Sequence, residues 1–245
     1  MRVAIISDIH ANLIALDAVL ADIEALPLDR IICLGDVAAT GAQPRQVIER
    51  LRALHCPVVM GNADAWLLNP QANDSADEDL RRILEIDRWC IDQLAPADLD
   101  YLRTLQPTIA ASLGDGATLL CYHGSPQSNT EIILATTPED DLERMLAGHR
   151  ATVLAGGHTH IQMLRRHKDA ILLNPGSVGL PFENHSEGGG SRNPPWAEYA
   201  AVGWIDGRLS IELRRVPIDA GAVVQAALDS GMPFAEWWAK DWIVE

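Results

Sequence analysis

Positive charge is scarce in this 245-residue chain: 19 Lys and Arg stand against 34 Asp and Glu, a formal net charge of −15. A binding track for long nucleic acid or an anionic membrane is therefore not expected, because both rely on clustered cations. A small phosphate-bearing substrate stays compatible, since bound divalent cations would offset charge where it matters and Asp8 and Asp36 are among the negatives counted. Long apolar runs are missing as well; the longest span a handful of residues, where a membrane helix needs roughly 20. The first residues, Met1-Arg2-Val3-Ala4-Ile5-Ile6-Ser7-Asp8, enter a strand-like run at once and show no small-residue cleavage site, so the expected location is the cytoplasm. Cys33, Cys56, Cys90 and Cys121 have no C-x-x-C spacing, and Cys33 and Cys121 lie in apolar runs, which argues against a disulfide framework. No internal repeat and no linker between domains is evident.

What is present is ordinary globular material, 48% hydrophobic and 22% charged, enough for one α/β domain over residues 1–245. Strand-length apolar runs recur at Val3–Ser7, Arg30–Leu34, Pro57–Met60, Thr108–Leu113, Ala117–Tyr122, Thr152–Ala155 and Ile171–Leu173. Asn12 can cap a helix carrying Leu13, Leu16, Leu20 and Ile23, and Pro44 suits the first turn of another carrying Val47, Ile48, Leu51 and Leu54. That early alternation predicts parallel βαβ units. Asp77–Leu105 has a helical pattern, with Leu80, Ile83, Leu84, Cys90, Ile91 and Leu94 as its apolar face and Pro96 opening a second helix. Asp115-Gly116 and Asp206-Gly207 predict hairpins, so the later sheet is partly antiparallel. Phe182–Glu198, rich in Gly and Pro, reads as a long mobile loop, and residues 218–245 as two short helices whose Trp237, Trp238 and Trp242 pack on the body or form a subunit interface.

Five short motifs fall just after apolar runs, where open α/β sheets place their ligands. They are Asp8-Ile9-His10, Gly35-Asp36, Gly61-Asn62-Ala63-Asp64, Tyr122-His123-Gly124 and Gly156-Gly157-His158-Thr159-His160. In extended backbone, residues two apart point the same way, so Asp8 and His10 can meet one ion, while His158 and His160 alternate beside glycines that admit close backbone approach. Taken singly each motif has a plain alternative: a capping aspartate, an Asn-x-Asp turn, a buried structural histidine. Together, Asp8, His10, Asp36, Asn62, His123, His158 and His160 offer oxygen and imidazole donors suited to two borderline-to-hard divalent ions.

In this order the motifs closely resemble the calcineurin-like metallophosphoesterases, in particular the small bacterial and archaeal phosphodiesterase branch. The likeness runs from about Arg2 to Val216 and includes Asn174-Pro175-Gly176-Ser177-Val178. It implies a four-layer α/β/β/α sandwich with mixed sheets, the 77–105 segment being a helical insert or cap. It also implies one metal on Asp8, His10, Asp36 and His160, and a second on Asp36, Asn62, His123 and His158. Mn2+ is the expected ion, with Ni2+, Co2+, Fe2+, Fe3+ or Zn2+ as alternatives. Asp36, Asn62, Asp64 and His123 would be the catalytic residues, Asn62 and His123 also touching substrate, in a hydrolysis by attack of a metal-activated hydroxide.

One position departs from the family pattern. Many relatives carry histidine between the Asn and the Asp of the third motif, where it is thought to protonate the leaving oxygen; here the residue is Ala63. This favours diesters or activated esters over alkyl monoesters. His185 could supply the missing acid or be an ordinary solvated histidine; Arg165, Arg166 and Lys168 could steer a phosphate or simply end a hairpin. The alternatives are a phosphomonoesterase, a dinucleoside polyphosphate hydrolase, a non-catalytic scaffold of the same fold, and, less in keeping with the donors, a module with one structural zinc. A homo-oligomer is compatible with all of them.

Overall fold

In a computed structural model, which describes residues 1–71, 76–184 and 191–244, the chain alternates strands and helices from its first residues. The elements are β1 (Arg2–Ile6), α1 (Leu13–Glu24), β2 (Arg30–Cys33), α2 (Pro44–Leu54), α3 (Asn62–Leu68), α4 (Glu78–Gln93), α5 (Pro96–Leu102), β3 (Ile109–Gly114), β4 (Ala117–Cys121), α6 (Glu139–Leu146), β5 (Val153–Ala155), β6 (Met163–His167), β7 (Ala170–Asn174), β8 (Glu183–Asn184), β9 (Ser191–Arg192), β10 (Trp196–Ile205), β11 (Arg208–Pro217), α7 (Ala220–Asp229) and α8 (Ala235–Ala239). They build a four-stranded sheet in the order β11-β10-β1-β2 and a five-stranded sheet in the order β3-β4-β5-β7-β6.

The two sheets face each other across a shared apolar layer. Val3, Ile5, Ile32, Ala200 and Val202 of the first meet Ile109, Leu119, Cys121, Val153 and Leu173 of the second. Helices cover the outer faces. On the first sheet, Leu16, Leu20, Val47, Ile48, Leu51, Ile86, Cys90 and Val223 pack over Ala4 and Ile6. On the second, Leu142 and Leu146 of α6 pack over Leu154, Met163 and Leu172. The expected four-layer α/β/β/α sandwich is the observed fold.

Local chemistry explains the element ends. Asn12 caps α1 by accepting from the Ala15 amide, and Pro44 opens α2. β1, α1 and β2 form the expected parallel unit, β1 pairing β2 from Val3↔Arg30 to Ile6↔Cys33. Both hairpins close on left-handed Asp-Gly pairs, Asp115 at φ 49° with Gly116 at 81° and Asp206 at 49° with Gly207 at 73°.

Several expectations need correction. Pro57–Met60 is not a ladder strand; Val58 and Val59 make only isolated bridges to Cys33 and Gln106 before the chain turns at Gly61 into α3, a helix hidden behind a turn-like Asn-x-Asp. The segment Phe182–Glu198 is not one long loop. Glu183–Asn184 pairs with Ser191–Arg192, and β10 is already under way at Trp196; His185 lies outside the described residues. The buried face of α4 runs through Ile86, Asp87 and Cys90, whereas Leu80 is exposed. Trp238 and Trp242 do pack on the body, inside the layer that covers the first sheet. Arg165 donates to the Leu134, Ala135 and Thr137 carbonyls and Lys168 pairs with Glu143, so both serve the β6–β7 end and the segment beside it. No helix among the described residues is long and apolar enough to cross a membrane, and the four cysteines are free thiols.

Candidate metal centre

The parallel strands β1, β2, β4 and β5 all end at the same rim, and the motif residues follow them there. Asp8 and His10 come after β1, Asp36 after β2, His123 after β4, and His158 with His160 after β5; Asn62 opens α3. The side chains of Asp8, His10 and His160 converge as one triad, and those of Asp36, His123 and His158 as another, each compact enough to hold a metal ion.

They do not converge by strand alternation. Asp8, His10, Asp36, His158 and His160 hold φ of 54°, 47°, 53°, 68° and 58°, a left-handed conformation that non-glycine residues seldom adopt. His158 and His160, two apart, serve different triads, whereas Asp8 and His10, also two apart, share one. Two glycines make the close approach feasible: a Cβ on Gly61 would lie 2.0 Å from Asp36 Oδ1, and one on Gly157 2.1 Å from Ser7 Oγ and 2.8 Å from Asp8 Oδ2.

Hydrogen bonds aim each donor. Nδ1 of His10, His123 and His160 faces the carbonyl of Ala39 (3.2 Å), Leu34 (2.8 Å) and Leu180 (2.6 Å), respectively. A carbonyl accepts only, so each Nδ1 carries a proton and Nε2 faces the cluster, offering its lone pair whenever the ring is neutral. One carboxylate oxygen of each aspartate is anchored by a backbone amide, Asp8 Oδ2 by His158 (3.1 Å) and Asp36 Oδ1 by Ala63 (2.9 Å). The other oxygen is left for the pocket. Asp36 Oδ2 stands 3.3 Å from His123 Nε2 and 3.9 Å from His10 Nε2, between the triads. Asn62 Oδ1 lies 2.9 Å from His123 Nε2.

The charge balance of this cluster is that of a cation site. Asp8 Oδ1 is buried with His160 Nε2 3.4 Å away, and His10 Nε2 faces the same His160 Nε2 at 3.1 Å. With both rings neutral, their two lone pairs and the buried Asp8 carboxylate oxygen are satisfied together by a bound cation. Burial works against the charged forms throughout. It lowers His10 to about 4, helped by neighbouring His160, and it lowers His158, helped by His123. Burial also opposes ionised Asp8 and Asp36, yet His160 and His123 beside them outweigh it and hold both carboxyls below their ordinary range. Against the same burial, Asp36 draws His123 up to about 10, and Asp8 draws His160 up. The residues fit divalent metal ions.

Asp64 does not join the cluster. It is fully buried and accepts from the amides of Asp36 (2.8 Å), Val37 (2.9 Å) and Gly61 (3.2 Å), tying two ligand loops together. Burial and neighbouring Asp36 raise its carboxyl to about 7. Two further braces were not singled out by residue type. Asn174 donates to Gly157 O (2.7 Å) and Thr159 Oγ1 (3.0 Å), and Ser177 donates to Asp8 O (2.7 Å). Both lie in the Asn174–Val178 stretch, whose only sequence signal was its likeness to the family.

A family model described as the calcineurin-like phosphoesterase superfamily domain matches residues 1–189. An uncharacterised protein of Methanocaldococcus jannaschii is 32% identical over 96% of this chain and 94% of its own length. Among solved structures, a metallophosphoesterase from Sphaerobacter thermophilus is 26% identical with a TM-score of 0.75, covering 98% of this chain and 97% of that one. A hypothetical protein of Pyrococcus horikoshii shares the fold with a TM-score of 0.79 at 20% identity, over 98% and 96% of the two chains.

Proposed function

The chain belongs to the calcineurin-like phosphoesterase superfamily, and from that premise we propose that it is a binuclear metal hydrolase of phosphodiester bonds in small substrates. The observation that carries this reading is the pair of triads with Asp36 Oδ2 between them. Asp8, His10, Asp36 and His160 would hold one ion, and Asp36, Asn62, His123 and His158 the other. When bound, two such ions lower the pKa of water and take up charge at phosphorus in an in-line displacement. Mn2+ is the ion we propose first, on the carboxylate and amide oxygens of the set, with Zn2+, Fe2+ or Ni2+ suited by its imidazoles.

The protein's own side chains do the positioning. The imidazoles of His10, His123 and His160, oriented by backbone carbonyls, present preset donors at no reorganisation cost. Asn62 and His123 would touch the ester oxygens, and His158 is only partly buried. Ala63 offers no proton to a leaving oxygen; its side chain is buried in the apolar layer and its amide holds Asp36. A departing group must therefore be stable as an anion, which supports diesters and aryl esters over alkyl monoesters. The net charge of −15 supports a small substrate over long nucleic acid.

An ester panel assayed with Mn2+, Ni2+, Co2+, Fe2+ or Zn2+ tests this. We expect turnover of bis(aryl) phosphates, a rate on alkyl monophosphates lower by about 10²-fold or more, and none of either with Asp36→Asn. Undiminished activity in the Asp36 variant would overturn the assignment, and a preference for alkyl monoesters would replace diesterase by monoesterase.

A further inference from the structure

The loop after Asp36 is gripped from outside at consecutive residues. The Ala39 carbonyl accepts from His10 Nδ1 (3.2 Å). Thr40 follows at φ 65°, a conformation that a β-branched residue rarely holds unaided. Its hydroxyl donates to Asp87 Oδ1 of α4 (2.9 Å), and its carbonyl accepts from Trp238 Nε1 of α8 (2.9 Å). The Gly41 carbonyl accepts from Cys90 Sγ, also of α4 (3.4 Å). The loop presses directly on the ligand residue, since a Cβ on Gly41 would lie 2.0 Å from the His10 carbonyl oxygen.

Asp87 is the unusual member of this grip. It is 5% exposed, one helical residue from Ile86 in the apolar layer, and the groups acting on it are Thr40 and, farther off, Asp36, with no cation among them. An unpaired carboxylate at such a place is costly, and an apolar side chain would serve packing better. Among the described residues its hydrogen bonds go to Thr40, through the hydroxyl at 2.9 Å and through the backbone of the same residue. Residues that orient a metal-binding histidine through its far nitrogen commonly govern how well the metal is held.

We propose that Asp87 is a positioning residue for the metal centre: by fixing Thr40 in its left-handed conformation, it sets the Ala39 carbonyl that orients His10. The helical insert is thereby part of the site's scaffold. The proposal rests on the reading that Asp8, His10 and His160 hold a cation.

Titration of the purified, chelator-treated full chain with Co2+ alone, followed by visible absorption, separates the two. We expect Thr40→Val and Asp87→Leu to weaken one of two Co2+ sites by about 10–100-fold and to change the absorption bands of that site. Asp87→Asn, whose carbonyl oxygen still accepts from Thr40, is expected to keep wild-type affinity and bands. Circular dichroism melting establishes which variants fold; should Asp87→Leu not fold, Thr40→Val carries the comparison. Folded Thr40→Val with wild-type affinity and bands would overturn the proposal, as would Asp87→Asn that binds Co2+ as poorly as the most impaired folded variant. A wild-type chain that binds no Co2+ would instead overturn the metal reading beneath it.

Discussion

Five ligand residues with left-handed backbone make a site that must be held in place, because each such residue costs on the order of 1–3 kcal/mol. Asp64 meets part of that cost. Its two oxygens accept three buried amides from the loops of Asp36 and Gly61, so its carboxylate is occupied by scaffold rather than turned toward substrate. Asp64→Asn turns an NH2 group against backbone N–H groups and leaves at least one of them unpaired, at a cost of about 1–3 kcal/mol. We therefore expect a lower midpoint in urea unfolding of the metal-free variant, with its metal affinity lowered as well. A variant with wild-type unfolding and metal binding but reduced kcat would instead make Asp64 a group that acts on substrate. The membership of the two triads was legible in the sequence because the residue types and their order are chemically restrictive. Their geometry was not: Asp8-Ile9-His10 looks like strand alternation, and only the packing of Gly179 against Ile9 and of Gly41 against His10 reveals a left-handed turn.

At the scale of elements, features set by local chemistry were readable and those set by distant partners were not. Asn12 and Pro44 mark helix starts, and Asp-Gly pairs mark hairpins, through interactions within a few residues. Two short helices, α3 and α6, escaped notice because their seven and eight residues show too little periodicity. The face of α4 was located only in part: Cys90, Ile91 and Leu94 do pack on the body, but a carboxylate sits beside them at Asp87, a position that hydrophobic patterning assigns to solvent. That carboxylate has a pH signature. Burial raises Asp87 from 3.8 to about 7, against the opposing hydrogen bond from Thr40. A raised carboxyl holds its proton in the folded state where the unfolded chain has lost it, so it costs nothing below pH 4 and destabilises increasingly as pH climbs toward 7. Asp87→Asn removes that dependence while keeping the hydrogen bond. Denaturant unfolding should show the variant gaining on wild type by about 2–4 kcal/mol between pH 4.5 and pH 8; a constant difference across that range would mean Asp87 is ionised throughout.

For the whole molecule, the two sheets contribute jointly to one rim. Asp8, His10 and Asp36 follow strands of the four-stranded sheet, while His123, His158 and His160 follow strands of the five-stranded one. Each triad draws on both: Asp8 and His10 with His160, and Asp36 with His123 and His158. A bound ion is thus a fastener between sheets otherwise joined by their shared apolar layer, and without it the rim holds two buried carboxylates in a chain already at −15. Unfolding separates the sheets and scatters the ligands, so binding is linked to folding. At an ion concentration about 100 times Kd, linkage adds about 2.7 kcal/mol for one site, which for a chain of this size raises the melting temperature by about 5–10 °C. We expect chelator-treated protein to melt lower by that amount and to recover with Mn2+ in a saturable way. Asp36→Asn should recover least, because its oxygen lies between the triads, whereas His158→Ala, which disturbs one triad, should keep part of the effect. Equal recovery in the two variants would mean that the triads do not share Asp36 and act as independent sites.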